Sequence, residues 1–525
     1  MEADTARVRF EPLGREAVVP VGATLLDAAR LADVDIPAPC GGIGRCGACR
    51  VSAEGHLSPL TRDERDVLGG AGVAAGKRLA CRARVTGDAT VTVGRARARA
   101  RVVGAQVSGA IAGTRMALDA AVDIGTTTLA VALVDPASCD VLAGAGALNP
   151  QLAFGADVMS RVTAALAGRS VDLQQAVVAE IESLLLGMLA DVGVRPELLD
   201  RIACCGNTTM TGLFLGADVA PLATAPYEGG PTADARVAAS ALGFDALASA
   251  NVYVLPAVSA FIGSDVVAGL LATGLAERTH AALMIDLGTN GEIVLAAHGQ
   301  LLAASAAAGP ALEGAAIACG MRAESGAIER VTRTGDGLAL GIIDEAVPAG
   351  ICGSGLLDLV AVLLDAGVLD ASGRLRDDAA GPLGGRVEER DGMRVFVVYA
   401  ASDIVLTQAD VRQVQLATGA VRTGINLVLA EAGLLPEDIA EVIVAGGFGL
   451  HVDPVAIERI GLVPGGWRER VSFAGNAALA GACAALDAAH DGAVARGLAE
   501  RVRTIDLAAH PEFQRRFLAA LNFPE

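Results

Sequence analysis

The sequence predicts an α/β protein of several domains: a small cysteine-bearing unit, then two similar α/β halves facing each other. The stretch Ala121–Asp135, AVDIGTTTLAVALVD, runs apolar to Asp123, turns through Gly125, Thr126, Thr127 and Thr128, and becomes apolar again. That is the pattern of two strands joined by a tight, hydroxyl-rich hairpin. Leu283–Leu295, LMIDLGTNGEIVL, repeats it, with Asp286, Gly288 and Thr289 matching Asp123, Gly125 and Thr126. Two copies of D-x-G-T, each closing an apolar strand, read as an internal duplication. A third stretch, Val442–Gly449 (VIVAGGFG), is a buried-type strand breaking into a Gly-Gly turn.

At 525 residues the chain has room for several domains. Lys+Arg 41 against Asp+Glu 60 gives a net charge of −19, which argues against nucleic acid as a main partner. A hydrophobic content of 53% with 64 Gly indicates a folded, turn-rich protein. Aromatics make up only 3%, so the cores must be packed from Ala, Val, Leu and Ile. The start, MEADTARVRFEPLG, has no apolar signal-peptide region. The long uncharged run Ala246–Ser264 holds Asn251, Pro256 and three serines, too polar for a membrane span. Cysteines 139, 204, 205, 319, 352 and 483 are scattered without a disulfide framework, and a reducing cytoplasm is the expected location.

Residues 7–20 read as a hairpin, and Thr24 with Asp27 approximates a capping box for a helix to about Leu31. The chain then enters a Gly-rich loop with Cys40-x5-Cys46-x2-Cys49, and Cys81 follows before another strand-like run. Four thiolates can hold a [2Fe–2S] cluster, and the glycines leave amides free for its sulfurs. A structural zinc site would favour two C-x2–4-C knuckles, whereas here Cys40 is too far from Cys46 and Cys81 stands alone. The x5 loop resembles that of adrenodoxin-like ferredoxins, which implies a β-grasp fold. Arg95, Arg97, Arg99 and Arg101 alternate with Ala in the following stretch, read as a solvated linker.

Beyond the first hairpin, Asn149-Pro150-Gln151 and GADVMSRV lead into a helical region ending near Ala167. Leu173, Val177, Ile181, Leu184 and Met188 form a helical core stripe. Cys204 and Cys205 read as buried small hydrophobes, while Asn207 and Thr208 suit either a cleft lining or a cap. Ala308–Pro310 and Glu313-Gly314 look like a cleft-side loop. Gly353 and Ser354 open a helix whose free amides would attract an anion. Residues 375–394 read as a charged surface excursion. Thr407 and Asp410 cap a long helix to about Ala432, and Gly475–Ala478 begins a late Ala-rich helix.

A phosphate tail needs backbone N–H donors in a concave turn that only Gly lets approach closely. Thr hydroxyls add donors, and a carboxylate at the strand end can hold hydrated Mg²⁺. The two D-x-G-T loops and the late GG turn, in that order, resemble the ATPase domain shared by sugar kinases, heat-shock chaperones and actin. That resemblance implies ATP and Mg²⁺ as ligands and a two-lobed ATPase. It assigns phosphate to Gly125, Thr126, Thr127, Gly288, Thr289 and Asn290. It gives adenosine to Gly446, Gly447 and Phe448, and the helix start at Gly353 and Ser354 would add a further nucleotide contact. Asp123 and Asp286 become the catalytic pair that positions Mg²⁺ and water.

The combination sharpens the likeness. NPQ–GADVMSR, GNTTM, SAFIGSD, IDLGTNGE, ICGSGL and AGGFG together resemble the reductive activators of corrinoid proteins. The implied job is to return Co(II) to Co(I) with one electron from a [2Fe–2S] cluster held by Cys40, Cys46, Cys49 and Cys81, using ATP. The implied partners are a corrinoid protein of a methyltransferase system, an upstream electron donor and a second copy of the chain, with no membrane. The expected division is a ferredoxin-like domain at 1–94, a linker at 95–116, and ATPase lobes at 117–278 and 279–525. Three other readings remain: an activator of a radical acyl-CoA dehydratase, a small-molecule kinase, and a binding module whose ATP loops have decayed into turns. Purified protein is expected to show [2Fe–2S] absorption and a reduced-state EPR signal, both lost in Cys46→Ser. Stoichiometric zinc without iron would refute this.

Overall fold

The computed structural model describes residues 5–11, 14–32, 34, 36, 49–74, 76–92, 117–225, 227, 230–314, 316–335, 337–379, 381–446, 452–487 and 492–524. Cys40, Cys46, Gly447, Phe448 and the Arg-rich stretch lie outside the described residues.

The first unit is a five-stranded sheet in the order Arg15–Pro20, Thr5–Glu11, Val85–Thr92, Arg50–Leu57, Lys77–Leu79. Alternation along Thr5–Glu11 buries Ala6, Val8 and Phe10 against Leu25, Leu79, Val85 and Val91. The helix Leu25–Leu31 has the expected capping box, with the Asp27 amide donating to Thr24 Oγ1 at 3.1 Å.

The two remaining six-stranded sheets share a five-strand plan. In the first, Asn251–Val254, Leu199–Gly206 and Leu118–Ile124 run parallel, and Thr128–Val134 and Val141–Leu148 continue antiparallel. In the second, Val471–Gly475, Glu441–Ala445, Ala282–Leu287, Gly291–Ala297 and Gln300–Ala306 repeat the order and the directions. The registers match as well: Asp123 lies opposite Cys205, and Asp286 opposite Ala445. The fold is thus a β-grasp ferredoxin unit joined to a duplicated, actin-like α/β pair.

The halves exchange a helix. Ser264–Thr273 follows the parallel strands of the first sheet, yet Val266, Val267 and Leu270 share a core with Ala282, Met284, Val294 and Ile443 of the second. Ala477–Ala484 makes the reciprocal move, burying Ala478, Ala482 and Cys483 with Ala121, Ala130, Ala132, Ala203 and Cys205. The two helices pack on each other. Small residues permit this, since a Cβ on Gly481 would sit 1.8 Å from the Ala268 carbonyl oxygen. The low aromatic content therefore has a structural use.

The helical region begun at Val158 does not stop near Ala167. It bends at Gly168, where φ is 89°, and continues as Ser170–Asp191. By length and composition the run Val158–Asp191 could cross a membrane, but Leu173, Val177, Ile181, Leu184 and Met188 are buried in the core of the first half. Residues 375–394 are only partly a surface excursion. Val387–Arg390 and Met393–Tyr399 pair as a hairpin, because Asp391 and Gly392 take φ of 50° and 76°, as a type I′ turn requires.

Gly481→Ala is expected to lower the melting temperature of the ATPase transition, consistent with a loss of about 1–3 kcal/mol by overpacking. Gly497, also helical, has nothing within 4 Å of a built Cβ, so Gly497→Ala should be neutral or raise stability by up to about 1 kcal/mol. Thermal denaturation of both variants checks the contrast.

Candidate functional site: an acidic cleft between two phosphate loops

Both loops sit at strand ends beside glycines that leave no room for a Cβ, although at Gly288 itself a Cβ would meet nothing nearer than 3.4 Å. A Cβ on Gly125 would lie 2.5 Å from the Thr128 carbonyl oxygen. Gly206 and Gly446, at matching positions in the two sheets, would collide with the Ile124 and Leu287 carbonyls at 2.6 and 2.3 Å. These are the residues just before Gly125 and Gly288. The second loop is closed by the Gly288 amide donating to the Asn290 carbonyl at 3.0 Å. The loops meet: Thr127 Oγ1 and Thr289 Oγ1 are 3.2 Å apart.

The first loop is held from behind. Asn149 Nδ2 donates to the Gly125 carbonyl at 2.8 Å, and its backbone N–H to the Thr127 carbonyl at 2.9 Å. Arg161 Nη2 donates to the Thr126 carbonyl, and Arg322 Nη2, from the other half, to the Thr127 carbonyl at 3.2 Å. A trans peptide points its N–H opposite to its C=O. Gripping the carbonyls of Gly125 and Thr126 therefore aims the amides of Thr126 and Thr127 away from Asn149 and Arg161. Asn207 serves both roles read from sequence, capping Thr208–Leu215 through Oδ1 and donating from Nδ2 to Thr126 Oγ1 at 2.9 Å.

Five carboxylates share the cleft. Asp123 is pushed up to about 7 by burial and by Asp265 and Glu313, against a 2.8 Å hydrogen bond from Asn476 Nδ2. Asp286 rises to about 8 through burial and repulsion from Asp265, Asp123 and Glu313. Burial lifts Asp265 to about 6. Glu292 and Glu313 are raised by burial too, Glu313 less so because Thr127, Arg322 and Thr289 favour its charge. Carboxylates crowded this way call for a cation, and the aimed amides call for an anion. Mg²⁺ with a nucleotide phosphate tail fits both.

The structure brings together Asp123, Gly125, Thr126, Thr127, Asp286, Gly288, Thr289 and Asn290, with Gly446 beside the second loop. Gly353 and Ser354 open the helix Gly353–Asp365, but buried Ser354 faces Cys352 Sγ at 3.4 Å. That helix packs on the turn Pro310–Glu313. Sequence reasoning missed Asp265, Glu292, Arg161 and Arg322 as parts of this site, and gave Asn476 only a helix start. The run SAFIGSD held the signal for Asp265.

In the ferredoxin unit, Cys49 Sγ and Cys81 Sγ lie 3.2 Å apart, both buried and not disulfide-bonded. The hydrogen bond with Cys81 lowers the Cys49 thiol to about 6. A thiolate pair at that separation can ligate one iron of a [2Fe–2S] cluster, and so fits it.

Comparison with known proteins agrees with this geometry. Residues 280–525 match the C-terminal domain of RACo, the ASKHA domain, and residues 118–278 the RACo middle region. Residues 8–86 match a 2Fe-2S iron-sulfur cluster binding domain. The chain is 33% identical over 419 residues to the corrinoid activation enzyme RamQ of Eubacterium limosum, covering 77% of this chain and 70% of RamQ. It is 27% identical over 391 residues to the [Co(II) methylated amine-specific corrinoid protein] reductase of Methanosarcina barkeri, covering 69% and 68%. The solved structure of a reductive activator for corrinoid, iron-sulfur protein superposes with a TM-score of 0.74 at 28% identity, over 99% of this chain and 98% of that one. The chain belongs to the RACo family of reductive activators.

Proposed function

We propose that this protein carries out ATP-dependent reductive activation of a corrinoid protein, delivering one electron to Co(II) and regenerating Co(I) for methyl transfer. The observation that carries the reading is the joining of a buried thiol pair to an acidic cleft whose two phosphate loops touch across it. When bound, a [2Fe–2S] cluster held by Cys40, Cys46, Cys49 and Cys81 supplies the single electron. Plant-type clusters lie near about −400 mV, and the Co(II)/Co(I) step is expected lower. Each ~59 mV uphill costs a factor of about ten for one electron. Nucleotide must therefore act on the acceptor, by holding the corrinoid protein in a conformation that is easier to reduce.

In this reading Asp123 and Asp286 position Mg²⁺ and water, and Asp265 adds a third carboxylate to the same space. The amides of Thr126 and Thr127 and the turn Gly288–Asn290 hold phosphate. Gly446, Gly447 and Phe448 support adenosine, and Gly353 and Ser354 complete the nucleotide site. ATP bound to both loops closes the lobes, because each loop belongs to a different half. The ferredoxin-like domain is taken as 1–94, the linker as 95–116 and the lobes as 117–278 and 279–525. A homodimer in a reducing cytoplasm, fed by an upstream electron donor, completes the proposal.

The direct test mixes reduced protein, Mg-ATP and Co(II) corrinoid protein without oxygen. A Co(I) absorption band is expected for wild type and none for Asp286→Ala, whose cluster spectrum should stay intact; equal turnover in that variant removes Asp286 from the site. A second test concerns pH. Asp265, Asp123 and Asp286, lifted to about 6, 7 and 8, are protonated below those values and must ionise to take a cation. Mg-nucleotide affinity measured by calorimetry should rise from pH 6 to pH 8 with proton release, then level off. Ligand-free protein should lose stability as pH rises from about 4 to 8, since over that range the folded state holds protons that the unfolded chain has released. Finally, cutting the chain near Met116 and supplying both pieces at micromolar concentration should slow electron transfer by roughly two to three orders of magnitude. An undiminished rate without association of the fragments would show that the linker does not carry the coupling.

A further inference from the structure

Arg161 is a buried arginine whose contacts reach beyond the phosphate loop that it holds. Its side chain is 0% exposed, and among the described residues no carboxylate pairs with it at ion-pair distance. Burial lowers it to about 10, so it stays charged at neutral pH. An unpaired interior charge is costly unless its donors are fully used. Here the guanidinium divides them among the phosphate loop, the turn beyond it and Met210 Sδ, which Nη1 meets at 2.9 Å. One side holds the Thr126 carbonyl of the phosphate loop. The other donates from Nε to the Gly155 carbonyl at 3.0 Å and from Nη1 toward Gln151 Oε1 at 3.4 Å. Gln151 lies in the turn Pro150–Ala153 and Gly155 just beyond it, and Asn149 at its start holds Gly125 and Thr127.

The ferredoxin unit reaches that same turn. Arg30, in the last turn of Leu25–Leu31, donates from Nη2 to the Ala153 carbonyl at 2.8 Å. A continuous path thus runs from the Thr127 amide through the Thr126 carbonyl, Arg161 and the Ala153 turn to the helix beside the cluster domain's core. We propose that Arg161 is a positioning residue that couples nucleotide in the cleft to docking of the ferredoxin domain on the turn Pro150–Gly155. The inference rests on the ATP-dependent reading above. An anion at the Thr127 amide polarises the 126–127 peptide and strengthens the Arg161 bond on its far side. The turn is then held more firmly, and the ferredoxin unit spends more time against it.

Hydrogen–deuterium exchange on the full chain, with and without a non-hydrolysable Mg-ATP analogue, tests this. In wild type the nucleotide should slow exchange at least about twofold both at 151–155 and in the helix 25–31. Arg30→Glu, an exposed change, should keep nucleotide affinity and the cluster EPR signal but lose the effect at 25–31, and Arg30→Lys should restore it. Arg161→Lys keeps the charge but lacks the planar fork, and should lose the effect at both segments and lower Co(I) formation at least tenfold. The coupling is overturned if calorimetry shows nucleotide bound to wild type while exchange at 25–31 is unchanged, or if Arg30→Glu responds as wild type does. Failure of wild type to bind nucleotide at all would instead overturn the ATPase reading on which the coupling depends.

Discussion

A peptide unit cannot turn its N–H toward a ligand without turning its C=O away, and the first phosphate loop is built on that constraint. Three successive carbonyls, of Gly125, Thr126 and Thr127, each find a donor in Asn149, Arg161 or Arg322. The loop's conformation is therefore set before any phosphate arrives, which is the condition for an anion site of amides to bind without reorganising. Gly125 and Gly206 are required because the loop and the neighbouring strand end approach more closely than a Cβ allows. Arg322 belongs to the opposite half, so even the ligand-free loop depends on the lobes lying together.

The acidic cleft supplies the opposing force. Burial raises all five carboxylates, and neighbouring carboxylates raise Asp123, Asp286 and Glu292 further, so full ionisation needs a compensating cation. A cation and a phosphate tail remove that conflict, so both add to the stability of the arrangement in which the loops meet. The exchanged helices place this conflict at the junction of the halves. Asn476, which holds Asp123, caps the helix Ala477–Ala484, and Asp265 lies in the first turn of its counterpart Ser264–Thr273. Since those helices pack through Gly481 and Ala268, a change in the cleft is a change at the contact between halves.

The parts legible in the sequence were the local ones. D-x-G-T at Asp123 and Asp286 carries its own turn chemistry, and the capping boxes at Thr24 and Thr407 need only residues three apart. The duplication was legible because both copies keep apolar strands on each side. Asp265 and Glu292 were not, because burial raises both and only the tertiary fold creates that burial. Arg161 was hidden by its type: an arginine in a polar helix start reads as solvated, and only tertiary packing buries it. The hairpin at Asp391-Gly392 was missed through the charged residues around it, although Asp-Gly is itself a hairpin signal.

The ferredoxin unit closes its own sheet and core, and Cys49 and Cys81 are set by contacts within it, including the Ala80 amide donating to the Cys49 carbonyl at 2.9 Å. The groups that shift the Cys49 thiol are all its near neighbours within that unit. The nucleotide therefore has little means of changing the potential at which an electron is held, and much means of changing where that electron can go. A one-electron step against an unfavourable potential can be helped by altering the acceptor's conformation or by bringing donor and acceptor together. The duplicated lobes provide the first through closure, since each contributes one phosphate loop. The turn that Arg30 and Arg161 share provides a route to the second, because the same bonds that fix the phosphate loop also fix the surface on which the donor domain rests.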